Sequence, residues 1–441
     1  MLSLIGFGTI LVIVFLLIRG KVTPIIPLVL IPILGAVVAG FQISEIGDFF
    51  SDGIVSVINV VIMFIFAILF FGIMQDAGLF DPIIDKMISM THGNVITISV
   101  GTVFIAAIAQ LDGSGASTFL ITIPALLPIY RQMKMSPYLL LLLIGGSASI
   151  MNMIPWGGPL GRAASVLDMD VTELWRPLIP IQAIGLVLMI GLAVYLGIRE
   201  KRRIINKYGS IEDAVATIEE DGTVFDRQDD HKTTSTKTKK YWVNVLVTVA
   251  VISVLVIGIL PAGLAFMIGV CLALPINFKK ADAQTETIRK HAPNALTMAT
   301  IILAAGSFLG ILNGTGMLDS IAEDTVKVLP QFIAPYIHII LGVFGVPFDL
   351  LLSTDAYYFA LLPVADQIGV TFGIPSISTA YAMIIGNIVG TFVSPFSPAL
   401  WLALGLAGLE MGKHIRYAFF WMWGLSIVLL MIAMLIGVIS I

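Results

Sequence analysis

Residues 111–118 read LDGSGAST, a carboxylate, two glycines and three hydroxyls set between apolar stretches. Ser114, Ser117 and Thr118 can cap a helix start or donate to the oxygens of an anion. Gly113 and Gly115 let such a ligand come close to the backbone. Asp112 has the opposite preference. At the closing end of an apolar helix its carboxylate favours a cation or a proton. A second polar interruption, residues 349–355 (DLLLSTD), brings Ser353, Thr354 and Asp355, with Asp349 a secondary candidate beside Asp355. Two more, NMIPWGGP (152–159) and VSPFSP (393–398), place Asn152, Gly157, Gly158, Ser394 and Ser397 where proline and glycine prevent an unbroken helix. Arg162 follows the first of these as a fixed cation. Such residues suit a site for an anion, with Asp112 and Asp355 reserved for a coupling cation or metal.

Composition sets the elements that hold them. The chain has 441 residues, 58% hydrophobic and 12% charged, with a mean hydropathy of +1.01. Soluble domains carry about 25% charged residues. Apolar runs of roughly 17–25 residues, the length of a membrane-spanning helix, recur throughout. The expectation is an all-α polytopic protein of the cell (plasma) membrane, with the lipid bilayer as its solvent and no nucleic-acid partner. Leu2–Ile18 lacks a basic leader and a small-residue cleavage site, so it reads as a retained helix.

The chain also repeats itself. FGIMQDAGLFDPI (71–83) matches LGILNGTGMLDSI (309–321) at an offset of 238. Ser117-Thr118 then aligns with Ser353-Thr354, ALLP (125–128) with ALLP (360–363), and Pro155 with Pro395, in the same order. This predicts a first repeat over 1–198, a polar linker over 199–240 and a second repeat over 241–441. The lysines and arginines flanking the linker put it in the cytoplasm. Spans over 2–18, 22–41, 54–75, 137–167 and 176–198, and over 241–259, 262–278, 293–313, 376–408 and 417–440, satisfy the loop charges. Five crossings per half, one of them broken, make the repeats inverted, provided that 94–130 and 331–365 are re-entrant hairpins. The stretches 77–91 and 316–329 suit interfacial helices.

Irregular backbone at membrane depth survives only where protein or a water-filled cavity satisfies it. Broken helices paired across inverted repeats point to a transporter's substrate site near the midplane. The second arm of each hairpin starts at its tip, so free N–H groups and the positive dipole end face that site and favour an anion. Other roles compete for the same residues. Glycines and hydroxyls such as Ser147 and Ser149 serve close helix packing, and Arg162 could snorkel or pair with Asp168. His338 suits either a proton relay or a structural place. The sequence has no HExxH, GxSxG or Walker A pattern, and its histidines and cysteine are too scattered for a zinc site. It does not read as an enzyme or as the holder of a permanent cofactor. Two rival readings are a cation/proton antiporter using Asp112 and Asp355, and an intramembrane hydrolase.

FGIMQDAGLFDP (71–82), LDGSGAST (111–118), IMNMIPWGGPLGRAAS (150–165) and DAYYFALLP (355–363) resemble the metal–citrate/proton symporters, the CitMHS family of the ion transporter superfamily. The likeness runs nearly end to end. It implies proton-driven secondary transport of citrate, or a similar carboxylate, as a complex with Mg²⁺ or Ca²⁺. The superfamily implies a homodimer with an elevator-type mechanism. Two stretches depart from the family pattern. Where members often read DGDG, this chain has Asp112-Gly113-Ser114-Gly115, and SPFSPALWLALGL (394–406) lacks the histidine expected there.

Overall fold

The computed structural model describes residues 1–19, 21–80, 82, 94–209, 239–328 and 333–440. Among them every regular element is helical. The first half comprises α1 (Leu2–Arg19), α2 (Ile25–Val38), α3 (Ile43–Asp76) and α4 (Val95–Ala109), which closes in a 3-10 turn at Gln110–Asp112. It continues with α5 (Gly115–Gln132), α6 (Pro137–Met151), α7 (Gly158–Val166), α8 (Val171–Trp175) and α9 (Ile179–Tyr208). The second half comprises α10 (Lys239–Ile257), α11 (Ala262–Asn277), α12 (Ala281–Gly314), α13 (Met317–Val328), α14 (Ile337–Val343) and α15 (Gly345–Asp349). A π-helical turn, Ala356–Leu361, leads into α16 (Leu362–Thr371), followed by α17 (Ser376–Ile388), α18 (Pro398–Ala407) and α19 (Met411–Leu435).

Among the described residues six helical stretches are long and apolar enough to cross a membrane: Ile43–Asp76, Val95–Asp112, Val171–Tyr208, Lys240–Ile257, Ala281–Gly314 and Met411–Leu435. The protein is therefore an all-α multi-pass membrane protein, as its composition implies. Val95–Asp112 belongs to this set, so length alone does not separate a hairpin arm from a span. The chain then returns at once through Gly113 into α5, so the two helices form a helical hairpin.

Several helices outrun the spans read from the sequence. Helices α3 and α12 each have 34 residues and begin at Ile43 and Ala281, well before 54 and 293. The acidic start of α3 is held by Glu45, whose Oε2 accepts the Gln42 N–H at 2.7 Å. Pro293 lies inside α12 without ending it. Helix α9 runs on to Tyr208 instead of stopping at 198. Its extension is tied down at Glu200, whose Oε1 accepts the Ser136 N–H at 2.5 Å. The expected interfacial stretch 77–91 and the middle of the linker 199–240 fall largely outside the described residues. The counterpart of the former, 316–329, forms α13.

The centre of the fold is the antiparallel pair α3 and α12. Near one end Gly53 meets Gly306 and Gly310 so closely that a β-carbon at any of the three would overlap the facing backbone. Small residues at such a crossing let two helices meet backbone to backbone, which raises dispersion contact where water supplies no driving force. Near the other end Gly72 packs on the His291 ring. Asp76 closes the contact there, with Oδ1 2.6 Å from Lys290 Nζ and Oδ2 2.9 Å from His291 Nε2. Adding 238 to Gly53 and Gly72 gives His291 and Gly310, so the two contacts exchange under the offset found in the sequence.

Candidate functional site

The first hairpin tip is made by one glycine turn. Gly113 adopts φ +75°, a conformation that costs glycine nothing and other residues strain. The turn is then held by its own polar groups. Asp112 Oδ1 accepts the Ser114 N–H at 2.8 Å, and Ser114 Oγ accepts the Ser117 N–H at 3.3 Å as the N-cap of α5. Thr118 Oγ1 donates to Gln110 Oε1 at 2.6 Å, and Gln110 Nε2 reaches Asn152 Oδ1 at 3.4 Å. Thr118, Gln110 and Asn152 are buried. They form a bridge between the tip and the break that follows α6. Gly113, Ser114, Gly115 and Ser117 are half-buried, so this face of the tip keeps access to a ligand.

The first break, residues 152–157, turns back on itself through Gly157, where a β-carbon would overlap the Asn152 carbonyl. Trp156 is stacked on Phe71 with ring centroids 4.9 Å apart, and its Nε1 donates to the Leu111 carbonyl at 2.8 Å. It also roofs Gly113, where an added β-carbon would lie 2.9 Å from Trp156 Cδ1. Helix α7 restarts at Gly158, on which the Arg162 guanidinium lies.

The second tip has a different construction. Its first arm is split into α14 and α15, and its return begins as the π-helical turn. Such turns are rare and frequently lie at functional sites. Ser353 Oγ accepts the Ala356 N–H at 3.2 Å, and Ser353, Thr354 and Asp355 are half-buried. The second break carries Ser394, whose Oγ donates to the Asp349 carbonyl at 2.6 Å. Ser397 is half-buried at the N-cap of α18 with no side-chain cap bond.

Two contacts cross between the halves and bring all four irregular segments together. Gly115 at the first tip faces the second break, with an added β-carbon 2.5 Å from Phe392 Cζ and 3.2 Å from Ala399 Cβ. Arg162 beside the first break reaches the second tip, where its Nε donates to Asp355 Oδ1 at 2.7 Å. The side chains of this pair are 11% and 13% exposed. Arg162 thus pairs with Asp355 and not with Asp168, and Asp355 already faces a fixed cation. Asp112 bonds to its own turn, and among the described residues no charged group pairs with it. Buried Thr118, Asn152 and Ser394 spend their polar groups on internal bonds. His338 Nε2 meets the Ser440 carbonyl at 3.1 Å, the structural place open to it. Among the described residues no three His, Cys, Asp or Glu side chains gather into a metal cage.

Sequence reasoning missed Gln110, Trp156, Asn387 and Tyr358. Gln110 carried a readable signal, an amide ending an apolar run directly before the tip. The π-helical turn that places Tyr358 left no signal in the residue pattern.

A family model described as citrate transporter, CitMHS, matches residues 10–386. The chain is 34% identical over 440 residues to a citrate transporter of Bacillus subtilis (strain 168), and the match covers all of both chains. It is 36% identical over 445 residues, again end to end, to a Mg(2+)/citrate complex secondary transporter of the same organism. Among solved structures it is similar to the YdaH transporter of Alcanivorax borkumensis, described as having an unusual topology. That likeness has a TM-score of 0.52 at 15% identity and covers 90% of this chain and 88% of the other, a similarity of fold alone.

Proposed function

The chain belongs to the CitMHS family of citrate transporters, and from that premise we propose that it carries citrate as a complex with Mg²⁺ or Ca²⁺, in symport with protons. It is a secondary transporter and not an enzyme. The metal is part of the cargo, supported by a relative named for the Mg²⁺/citrate complex.

The observation that carries this reading is the ion pair of Arg162 and Asp355, placed where a helix break of one half meets the hairpin tip of the other. A metal–citrate complex has both an anionic and a cationic face. Its free carboxylate can take Arg162 in a bidentate contact, while its metal takes Asp355. Divalent ions take about six or more oxygens, and citrate and water supply most of them. Citrate without metal offers nothing to the freed Asp355 and leaves that charge unpaired. The half-buried Gly113–Ser117 tip adds N–H groups and hydroxyls at the dipole end of α5. Asp112 is a further carboxylate for the metal or a coupling cation. Gly158, Ser353, Thr354 and Ser397 complete the lining, with Asn152, Gly157 and Ser394 behind them.

Transport then follows an elevator path in a homodimer: the two hairpins and broken helices move as a unit past the Gly-packed α3–α12 pair, exposing the site to each side in turn. The matching 238-residue offsets at that pair support a twofold inverted repeat as the frame for this motion.

The test is uptake of labelled citrate into proteoliposomes under an imposed proton gradient, with Mg²⁺, Ca²⁺ or chelator. Accumulation that needs both the gradient and a divalent ion is expected. Exchange of cations for protons with no citrate uptake would overturn the reading in favour of an antiporter.

A further inference from the structure

The second hairpin contains a carboxylate that the ion pair leaves unexplained. Asp349 ends α15 and is 2% exposed. Its Oδ2 has no hydrogen-bond partner. That atom lies against Gly390, where even a β-carbon would overlap it. Ser394 holds the Asp349 backbone through its carbonyl, so the carboxyl group is fixed in place.

Two other buried polar atoms around it are also unpartnered, Oδ1 of Asn387 and the hydroxyl of Tyr358. Asn387 lies one turn before Gly390, and its Nδ2 donates to the Gly345 carbonyl at 3.3 Å, four residues before Asp349 in the same arm. That uses one of the amide's two N–H groups and leaves its oxygen free. Tyr358, in the π-helical turn, packs edge to face on Tyr357 with ring centroids 5.3 Å apart, and Tyr357 in turn faces Phe348, the neighbour of Asp349, at 6.3 Å. The remaining titratable neighbours are accounted for. Tyr357 donates to the Leu341 carbonyl at 3.0 Å, Arg162 is held by Asp355, and His414 on α19 has Nε2 at the Phe392 carbonyl, 3.1 Å away.

Of these three unpartnered oxygens only the Tyr358 hydroxyl carries a hydrogen while Asp349 is ionised. An ionised carboxylate and an amide oxygen are both acceptors, so neither satisfies the other. A proton on Asp349 turns Oδ2 into a donor for Asn387 Oδ1. When that proton leaves, the second N–H of Asn387 and the Tyr358 hydroxyl are the uncommitted donors left to serve the carboxylate. A divalent metal wants about six or more oxygens, and this cluster has three side-chain oxygens unspent. We propose that Asp349 is the binding site of the transported proton, with Asn387 Oδ1 as acceptor in its loaded state and the Tyr358 hydroxyl as donor in its empty state. The proton adds to the carboxylate on one side of the membrane and leaves it on the other, with no other bond made or broken. This inference rests on the symport reading above.

The experiment compares net and exchange transport in proteoliposomes. Asp349→Asn is expected to lose accumulation of Mg²⁺–citrate driven by a pH gradient while retaining exchange of labelled for unlabelled citrate. Tyr358→Phe removes a single unpartnered hydroxyl and is expected to shift the pH dependence of net uptake relative to that of exchange. Gradient-driven accumulation that survives in Asp349→Asn overturns the proposal. Loss of exchange along with it also overturns it, since Asp349 would then belong to the substrate site or the scaffold. If Asp349→Asn does not fold, an unchanged pH profile in Tyr358→Phe is decisive against it. Failure of the symport reading itself appears separately, as absence of proton-driven citrate uptake in the unaltered protein.

Discussion

Arg162 Nε donates to Asp355 Oδ1 at 2.7 Å across 193 residues of chain, joining the first broken helix to the second hairpin. In the registers that pair Ser117 with Ser353 and Pro155 with Pro395, the two positions match Leu402 and Phe119, which carry no charge. Each tip is anchored by one side-chain bond to a backbone carbonyl, Trp156 to Leu111 in the first half and Ser394 to Asp349 in the second. The anchoring of the tips is therefore shared by both halves, while the charge between them sits on one side only. A one-sided charge pair is what a substrate with one anionic and one cationic face requires.

Breaking that pair should cost stability as well as transport. Removing one partner of a buried ion pair costs about 3–5 kcal/mol, whereas removing both is often near neutral. Arg162→Gln is expected to lower the thermal midpoint in detergent and abolish citrate uptake. Adding Asp355→Asn should restore most of the midpoint and none of the uptake. Equal midpoints for the single and double variants would show that the pair does not hold the two halves together.

The α3–α12 crossing gives a test of the scaffold. Gly310→Ala puts a β-carbon onto the Phe49 and Gly53 backbone, and overpacking of this kind costs about 1–3 kcal/mol. Gly8→Ala on α1 meets nothing within 4 Å and should be neutral or slightly stabilising, by about 0.5–1 kcal/mol. Thermal melts of both variants check this. A Gly310→Ala protein as stable as Gly8→Ala would mean that the two helices can separate freely.

Much of this fold could be read from the sequence because the bilayer leaves so few choices. Runs of apolar residues must be helices, and the polar breaks at 112–118, 152–159, 349–355 and 393–398 had to be enclosed by protein. The structure does bring all four together. Helix ends were read less well, since Glu45 and Glu200 hold the added turns of α3 and α9 through hydrogen bonds that hydropathy does not register. Partners were read least well. Nothing in the spacing of Arg162 distinguishes Asp168, six residues away, from Asp355, because that choice is made by how the two halves pack. The same holds for Asp349, whose surroundings depend on Asn387 in α17 and on Gly390 just past its end.

The two tip anchors should act independently. Trp156→Phe and Ser394→Ala each remove one hydrogen bond to a backbone carbonyl, a loss of about 1 kcal/mol apiece. Sites on separate tips without shared partners add to within about 0.5 kcal/mol. The double variant should therefore show the sum in its unfolding, and each single variant a rise in the citrate KM as one tip loosens. A deficit well beyond additive would reveal that the tips are coupled to each other through the Gly115 and Phe392 contact.

Ser114 is the position from which metal preference can be changed with least damage. Its Oγ caps α5 by accepting the Ser117 N–H, and aspartate caps a helix as well as serine does. Ser114→Asp therefore preserves the turn while setting a second carboxylate two residues from Asp112. That added charge attracts a divalent ion and repels citrate that arrives without one. The expected outcome is citrate uptake that requires more complete complexation, with activity at low Mg²⁺ or Ca²⁺ lost and activity at saturating metal kept. Asp112→Asn should act in the opposite direction and flatten the response to metal. Uptake measured across a metal titration at fixed citrate, with chelator as the zero point, reads both variants on one scale. If neither curve moves while expression and thermal midpoint stay normal, the cargo metal does not approach the first tip, and its contacts with the protein are confined to Asp355.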